Sequence, residues 1–301
     1  MIPANAFINQ SINDKNVQFY KEYGFLIAPN ALTQAEIASL NKDVVEILSG
    51  KRGEIEGLRH LSENQKPTYV QNHVQKNEND FIRQYTAIHF PHKLSALIKD
   101  FAKHPKIVNV LSEIVSKNVK CLQSMFFVKA PGKKGQAWHQ DEYFIPTRDK
   151  SLTGAWLALD DANEENGCLW LIPGSHEDGI IRQRVKNDNT HFADTEVADI
   201  TPFEQKDFVK VEIKKGAIVY FNGYLLHMSL QNQSHSSFRR ALVFHYSSAE
   251  TMLPWNLDGR IPNTQDNRDI FMVTGVDPYA YKGTCELAKP FIRADVLDFR
   301  V

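Results

Sequence analysis

The sequence has few of the residues and runs that mark specialised protein classes. It contains only three cysteines, the widely scattered Cys121, Cys168 and Cys285. Their odd number and spacing exclude a disulfide framework and a thiolate metal site, so we expect reduced thiols. No apolar run approaches the roughly 20 residues of a membrane-spanning helix. Residues 1–16 carry neither a basic nor an apolar leader pattern, so we expect a cytoplasmic location.

An excess of charge of one sign is also missing. The 35 Lys and Arg residues nearly cancel the 36 Asp and Glu residues, and the basic residues form no continuous stripe. This balance gives no electrostatic reason to expect nucleic acid or an anionic membrane as a partner. Internal repeats and low-complexity tracts are absent too. These absences favour a globular domain that acts on a small molecule. They do not indicate its oligomeric state.

The N-terminal part of the chain favours helices. Apolar side chains recur at helical spacing within residues 13–23. Thr33 and Glu36 form a capping-box pattern that starts a second helix, which we expect to end at Gly50. The polar, irregular residues 51–78 predict a loop or lid. Residues 81–116 predict a series of broken helices.

From residue 119 the chain changes to short apolar or alternating runs separated by turn sequences. Many short strands at near-regular spacing predict a sandwich, jelly roll or barrel. The predicted strands are 119–129, 152–160, 168–172, 208–213, 217–221, 225–230 and 240–246. We therefore expect a mainly β fold with flanking α-helices, built on a double-stranded β-helix (jelly-roll, cupin-like) core. One domain spans residues 1–301, with helices at about 1–118, the core at about 119–250 and a loop-rich tail at 251–301.

A candidate metal site begins in the segment Trp138-His139-Gln140-Asp141, which follows a Pro-Gly-Lys-Lys-Gly turn. Alternate residues of a strand share a face, so in a strand His139 and Asp141 would point one way and Gln140 the other. An imidazole and a carboxylate on one face offer two adjacent metal ligands. A His-x-Asp pair is common, however, and a third ligand is needed to make it specific.

The third ligand must come from elsewhere in the chain. His227 is favoured because it follows the predicted strand 217–221 and the Asn222-Gly223 turn, with the predicted strand 240–246 beyond it. His235 and His245 remain alternatives, and His245 lies within a predicted strand that could face the same interior. Two imidazoles and one carboxylate suit Fe(II) oxygenases and also Zn(II) hydrolysis, so the ligands alone do not choose the metal.

An arginine pair opens the last predicted strand. Arg239 and Arg240 follow His227 by about a dozen positions. The planar guanidinium fork matches a carboxylate, such as the distal carboxylate of 2-oxoglutarate, with two parallel hydrogen bonds. Adjacent strand residues face opposite ways, so only one of the two can point inward.

Four motifs in this order resemble the phytanoyl-CoA dioxygenase family over roughly residues 15–285. They are His139-Gln-Asp141, the Asn166 to His176 run, His227-x-Ser229-x-Gln-Asn232 and Phe238-Arg239-Arg-Ala. The resemblance implies a jelly-roll fold and an enzyme that uses Fe(II), 2-oxoglutarate and O2. It implies His139, Asp141 and His227 as the iron ligands. It also favours Arg239 over Arg240 as the anchor of 2-oxoglutarate.

The resemblance further implies which residues surround the co-substrate. They are Gln123, Met125, Lys129, Trp156 and Ser229, with Arg83 as a further basic contact. For Met125 and Trp156, simple core packing is an equal alternative. We expect His176 to be a turn residue that hydrogen-bonds locally.

The implied reaction is hydroxylation of a C–H bond with release of succinate and CO2. Related halogenases lack the carboxylate ligand, so the intact Asp141 favours hydroxylation or desaturation. Two alternatives remain, a metal-dependent cupin-like isomerase or hydrolase and a non-catalytic jelly-roll binding protein. The substrate stays open among acyl-CoA-like, amino-acid-like and natural-product compounds. Its candidate contacts are Tyr143, Phe144, the loop 51–78 and the basic stretch Arg182–Lys186.

Overall fold

A computed structural model of the protein describes residues 2–53, 55–57, 82–147, 149–251, 270–283 and 289–294. The α-helices in these ranges are α1 (Asp14–Tyr23), α2 (Gln34–Leu48), α3 (Ala96–Phe101), α4 (Pro105–Ile114) and α5 (Asp141–Phe144). None of the helices within the described ranges combines the length and apolar character needed to cross a membrane.

The β-strands carry most of the fold. The first seven are β1 (Phe25–Ala28), β2 (Tyr85–His89), β3 (Val119–Lys129), β4 (Gln136–His139), β5 (Thr153–Ala158), β6 (Leu169–Leu171) and β7 (Arg184–Lys186). The other seven are β8 (Glu196–Ala198), β9 (Val209–Val211), β10 (Ile218–Asn222), β11 (His227–Ser229), β12 (Arg239–Ser248), β13 (Phe271–Thr274) and β14 (Phe291–Ala294).

The two predicted N-terminal helices are confirmed, and so is the predicted cap of the second. The Asn13 side chain accepts hydrogen bonds from the backbone N–H groups of Lys15 and Asn16, which fixes the start of α1. Thr33 and Glu36 form the predicted capping box of α2. That helix ends at Leu48, slightly before the predicted end.

Two antiparallel sheets enclose the centre of the molecule. The larger sheet has the strand order β1-β10-β5-β12-β3-β2-β14, and β13 also pairs with β3. The smaller sheet has the order β4-β11-β6-β9, and β7 and β8 form a separate hairpin. Both sheets contribute side chains to one internal cavity. The predicted class, a mainly β double-stranded β-helix with flanking helices, is confirmed.

Strand register decides which side chains of the larger sheet face this cavity. Val243 of β12 lies opposite Trp156 of β5 and Met125 of β3, so these three share one face. Arg239 and His245 lie an even number of residues from Val243 on the same strand. They therefore point to the same interior face, and all five residues line the cavity.

Helix α1 packs against the outer part of the larger sheet. The ring of Phe19 meets that of Phe25 edge-on at 5.3 Å between centroids, and the hydroxyl of Tyr20 lies 2.9 Å from that of Thr153. Burial of each such aromatic ring stabilises the fold by about 1.5–3 kcal/mol. The helix therefore fixes the first strand against the core that supports the cavity.

Two secondary-structure predictions are wrong in part, one for residues 81–116 and one for the tail at 251–301. Residues 85–89, expected to be helical, form β2, which pairs with β3 on one side and with β14 on the other. The tail, expected to be loops, supplies β13 and β14 to the same sheet. Edge pairing is a tertiary interaction that local propensity does not encode. The predicted loop 51–78 lies mostly outside the described residues, as does Cys285, whereas Cys121 and Cys168 are free and buried thiols.

Gly135 allows the turn before β4 to approach β11 closely. A Cβ atom at this position would lie 2.3 Å from the carbonyl oxygen of Ser229, a backbone atom that cannot move aside. We expect Gly135→Ala to destabilise the protein by about 1–3 kcal/mol and to disturb the pairing of β4 with β11. Thermal unfolding of the variant measures the first effect, and metal binding measures the second.

The matched control is Gly132→Ala in the same turn. A Cβ atom there meets no other atom within 4 Å. Alanine at this position is therefore disfavoured only by the positive φ of 82°. If Gly135→Ala behaved like Gly132→Ala in both measurements, close approach to β11 would not explain the glycine.

Candidate metal centre

Three buried side chains converge on one point inside the cavity. His139 is the last residue of β4 and His227 is the first of β11, and the two lie directly opposite each other across the strand pair. Asp141 follows two residues after His139. Its Oδ1 atom lies 3.9 Å from Nε2 of His139 and 3.7 Å from Nε2 of His227. One ligand atom from each residue lies within 4.8 Å of the other two, a spacing that can hold a metal ion.

Asp141 lies in a helix and not in the expected strand. Strand β4 ends at His139, and Asp141 is the first residue of the short helix α5. The two ligands therefore do not sit on one strand face. Gln140 does point away from them, because its side-chain amide donates to the carbonyl oxygens of Tyr224 and Ile180. This tether holds the bend between the two ligands.

Backbone carbonyl groups fix the orientation of both imidazoles. Nδ1 of His139 lies 2.7 Å from the carbonyl oxygen of Ala137, and Nδ1 of His227 lies 2.9 Å from that of Leu225. A proton on each Nδ1 leaves the lone pair of Nε2 for a metal. Burial and the neighbouring His227 lower the pKa of His139 to about 3. The ring is therefore neutral at neutral pH, as a ligand must be.

His245 holds the other oxygen of Asp141. Its Nε2 atom lies 3.0 Å from Oδ2, and its Nδ1 atom lies 3.4 Å from the amide nitrogen of Gln123. Burial alone would raise the pKa of Asp141, but the neighbouring imidazoles of His245 and His227 and the hydrogen bond from His245 lower it well below its usual range. The carboxylate therefore stays ionised, with Oδ1 directed at the two histidines.

The other histidines considered as ligands lie elsewhere. His245 contacts the carboxylate rather than the centre of the triad, and His235 is exposed. His176 lies in a turn as expected, but its hydrogen bond is not local. Its Nε2 atom lies 3.1 Å from the carbonyl oxygen of Lys21, at the end of α1. Its ring packs against Gly24, where a Cβ atom would lie 2.6 Å from Nδ1.

The donor set fits the metal that the sequence implies. Two imidazole nitrogens and one carboxylate oxygen meet beside a cavity of about 570 Å³. This is the facial arrangement that leaves open positions on Fe(II). Each histidine makes a hydrogen bond through Nδ1, and the carboxylate accepts one at Oδ2. Such hydrogen bonds orient the ligands of a metal site.

The predicted co-substrate residues lie around the same cavity. Gln123, Met125, Trp156, Ser229 and Arg239 line it together with the triad. Lys129 lies behind this wall, where its Nζ atom donates to Ser229 Oγ at 2.7 Å and to the carbonyl oxygen of Leu230 at 2.6 Å. Arg83 stacks on the ring of Phe238 instead and is not among the described lining residues.

Arg239 is a buried cation whose charge is not neutralised by an adjacent carboxylate in the described part of the chain. Its guanidinium lies 5.4 Å from the centre of the Trp156 ring. Its Nε atom is buried and has no hydrogen-bond partner among the described residues. Burial lowers its pKa to about 10, and burial with the nearby Arg239 lowers the pKa of Lys129 well below its ordinary value. An anion placed here would relieve both costs.

Arg240 faces the opposite side of β12. Its guanidinium forms a two-pronged ion pair with Asp160, at 2.7 Å from Nε and 2.6 Å from the terminal nitrogen. The same carboxylate accepts a hydrogen bond from the backbone N–H of Arg240. As strand alternation requires, the Arg239 side chain points into the cavity and the Arg240 side chain points away from it.

Aromatic side chains close the metal end of the cavity. The ring of Phe221 lies 4.7 Å from that of His227 between centroids, and it covers Gly154 on the neighbouring strand. A Cβ atom at Gly154 would lie 2.6 Å from the Phe221 ring, so glycine is required for this packing. Phe144 lines the cavity near His139 and is 53% exposed, which places it at the mouth.

The basic stretch 182–186 reaches this mouth through one residue. The guanidinium of Arg184 lies 5.2 Å from the Tyr143 ring and 5.5 Å from the Phe144 ring. Arg182 is turned toward Asp178 and the ring of Phe203 instead. Of the candidate substrate contacts, Tyr143, Phe144 and Arg184 are therefore brought together at the mouth.

Removal of the hydrogen bond from His245 is expected to weaken metal binding. We expect His245→Leu to lower the affinity for Fe(II) or Co(II) by about 10–100-fold, because outer-shell partners fix ligand orientation. His245→Gln, which keeps a donor, should recover part of the loss. Calorimetric titration and the Co(II) absorption spectrum measure the two effects.

The control for this change is His235→Gln, at an exposed histidine outside the cavity. It should bind metal like the parent protein. Equal metal affinity in His245→Leu and the parent would contradict the role given to His245.

Comparison with known proteins places this site in a family. The family model described as phytanoyl-CoA dioxygenase (PhyH) matches residues 20–241. A phytanoyl-CoA dioxygenase of Arabidopsis thaliana is 30% identical over 257 residues, which cover 79% of this chain and 89% of that protein. Phytanoyl-CoA dioxygenase domain-containing protein 1 of Danio rerio is 28% identical, with 85% of this chain and 96% of that protein covered.

Solved structures share the fold at lower identity. The α-ketoglutarate-dependent carbocyclase SnoK from nogalamycin biosynthesis matches with a TM-score of 0.61 and 21% identity, over 85% of this chain and 94% of that one. EctD from S. alaskensis, solved with 2-oxoglutarate and 5-hydroxyectoine, matches with a TM-score of 0.58 and 18% identity, over 85% and 84% of the two chains. These likenesses confirm the fold class. This chain belongs to the phytanoyl-CoA dioxygenase family, and with it to the Fe(II)- and 2-oxoglutarate-dependent oxygenases expected from its sequence.

Proposed function

We propose that this protein hydroxylates a C–H bond of a small molecule with a mainly apolar body. In this proposal His139, Asp141 and His227 hold Fe(II), and Arg239 anchors 2-oxoglutarate. The observation that carries the proposal is the buried Arg239, which has no adjacent carboxylate in the described part of the chain and lines the same cavity as the triad. A hydrolase with this triad has no need of such a cation.

The spacing along β11 supports a chelating dicarboxylate. His227 and Ser229 are two residues apart on one strand, so their side chains share a face at a separation of about 6.6 Å. Ser229 Oγ accepts a hydrogen bond from Lys129. A short dicarboxylate that binds the metal with one end therefore meets Ser229 and the two cations, Arg239 and Lys129, with its other end. The Trp156 ring, beneath the guanidinium, covers the apolar carbons between.

When bound, Fe(II) and 2-oxoglutarate supply O2 activation and C–H hydroxylation, with release of succinate and CO2. The chain itself positions the participants. The Nδ1 contacts orient the two imidazoles, and His245 directs one oxygen of Asp141 toward them. Asp141 would hold the metal through Oδ1, since His245 contacts its other oxygen. Arg239 fixes the far carboxylate, and Phe221 covers His227.

The lining of the substrate end favours an apolar compound. Phe90, Phe144 and Ile145 line the cavity together with His89. Burial lowers the pKa of His89 to about 4, so this imidazole is neutral at neutral pH. Arg184 at the aromatic mouth would suit a substrate with a polar or anionic end outside the cavity. This lining does not choose between an acyl compound and an aromatic scaffold.

Loss of a metal ligand should abolish the chemistry. We expect the parent protein, given Fe(II) and 2-oxoglutarate in air, to form succinate slowly even without substrate. Asp141→Ala and His227→Ala should each lower this rate by at least about 100-fold, because both ligands are needed to hold the metal. Chromatographic measurement of succinate provides the rate.

The control carboxylate is Asp161→Ala, at a residue paired with Lys214 and absent from the cavity lining. It should leave succinate formation unchanged. Succinate formation at the parent rate in both ligand variants would refute the oxygenase assignment, and product formation without O2 would favour the hydrolase or isomerase alternative.

The two adjacent arginines provide a matched pair for the co-substrate anchor. We expect Arg239→Gln to weaken 2-oxoglutarate binding by about 100-fold, because a buried bidentate partner is lost. Arg240→Gln should keep the affinity and lose about 1 kcal/mol of stability with its ion pair. Anaerobic titration of the Fe(II) protein with 2-oxoglutarate, followed by the visible charge-transfer band, measures the affinity. A reversed pattern would make Arg240 the anchor.

A further inference from the structure

A second cavity of about 320 Å³ adjoins the one that contains the triad. The two share part of their walls, since both are lined by Phe127, Gln136, Asp194, Ser229, Arg239 and Arg293. None of the three metal ligands lines the second cavity. It therefore begins at the Arg239 end of the co-substrate site and leads away from the metal.

The walls of this second cavity are strongly basic. Its cationic residues are Lys129, Lys133, Lys134, Arg239 and Arg293. Among the described residues that line it, Asp194 alone is acidic, and one of its oxygens accepts a hydrogen bond from the backbone N–H of Ala137 at 2.8 Å. Lys134 and Arg293 are exposed, whereas Lys129 and Arg239 are buried. The cations thus extend from the surface to the co-substrate anchor.

The turn that carries two of these lysines is held rigidly beside Ser229. The N–H of Gly132 donates to the carbonyl oxygen of Asn232 at 2.8 Å, and the N–H of Asn232 donates to that of Lys133 at 2.9 Å. Gly135 is fixed by backbone hydrogen bonds to His191 and Ala193, and it approaches Ser229 more closely than any residue with a Cβ could. The Pro-Gly-Lys-Lys-Gly sequence therefore builds one wall of the cavity.

We propose that this second cavity is an anion-binding vestibule through which 2-oxoglutarate enters and succinate leaves. The inference rests on the proposed function. A dicarboxylate suits a passage lined by cations at both ends, with Lys134 and Arg293 outside and Arg239 inside. The aromatic mouth near Phe144 is then left to the substrate. Co-substrate exchange can proceed while the substrate end of the cavity is filled.

Clustered charge in a low-dielectric passage acts mainly on the association rate. A field of one sign raises the local concentration of an oppositely charged ligand and speeds its entry by about 10-fold or more. Salt screens this effect, so it falls steeply with ionic strength. The residues at the outer opening should therefore govern how fast 2-oxoglutarate binds rather than how slowly it dissociates.

The test is a stopped-flow measurement on Fe(II)-loaded protein without substrate, in the absence of O2. Association of 2-oxoglutarate is followed by the charge-transfer band for the parent, Lys134→Glu and Arg293→Gln. We expect Lys134→Glu to lower the association rate constant by about tenfold at low salt. The difference should nearly vanish at about 1 M salt, where the screening length is about 3 Å. The dissociation rate should change by less than about twofold.

The control is Lys117→Glu, which makes the same change in net charge just before the start of β3. That lysine is exposed, pairs with Glu113 and lies at the opposite end of the strand from Lys129. An association rate in Lys134→Glu equal to that in Lys117→Glu would overturn the vestibule. A loss confined to the dissociation rate would overturn it too, because Lys134 would then be a direct ligand. Absence of the band in the parent protein would instead contradict the proposed function itself.

Discussion

The pairing of β4 with β11 is the contact on which the rest of the site depends. It sets His139 opposite His227, and the carbonyl oxygens of Ala137 in β4 and of Leu225 just before β11 hold the two rings by Nδ1. Gly135 allows this pairing, since any side chain there would collide with the backbone of Ser229. Small changes in this strand pair would therefore move both histidines, whereas Asp141 is held separately by His245.

The larger sheet supplies the remainder of the chemistry through one face. Arg239, Val243 and His245 of β12 alternate inward, so one strand supplies a buried guanidinium, part of the cavity wall and the imidazole that contacts Asp141. The cost is two cations, Arg239 and Lys129, buried beside each other with lowered pKa values. Such an arrangement is stable only if the fold around it is over-determined, as a core of tightly paired strands is. The two buried basic side chains would also favour the binding of an anionic ligand.

Much of the architecture could be predicted from the chain because local patterns and tertiary structure agree. The apolar spacing of α1, the capping box of α2 and the run of β3 use only neighbouring residues, and the bounds of these elements match closely. The predicted secondary structure was wrong where an element depends on contacts with residues that are distant in the sequence. β2 is a strand because it pairs with β3 and β14, which are distant in sequence, and Asp141 opens a helix after Gln140, whose side chain is tied to a distant segment. Local propensity contains no information about these contacts.

The sequence by itself determined the class of fold, the His139-x-Asp141 pair and the rule that only one of Arg239 and Arg240 can face inward, because periodicity and ligand chemistry are local properties. Tertiary structure alone decided that His227, and not His235 or His245, completes the triad, and that His245 holds Asp141. It also decided that Arg240 is neutralised by Asp160 while Arg239 faces the cavity. The physical reason is that ligand choice depends on distances between strands, which register and sheet closure fix only when the chain is folded.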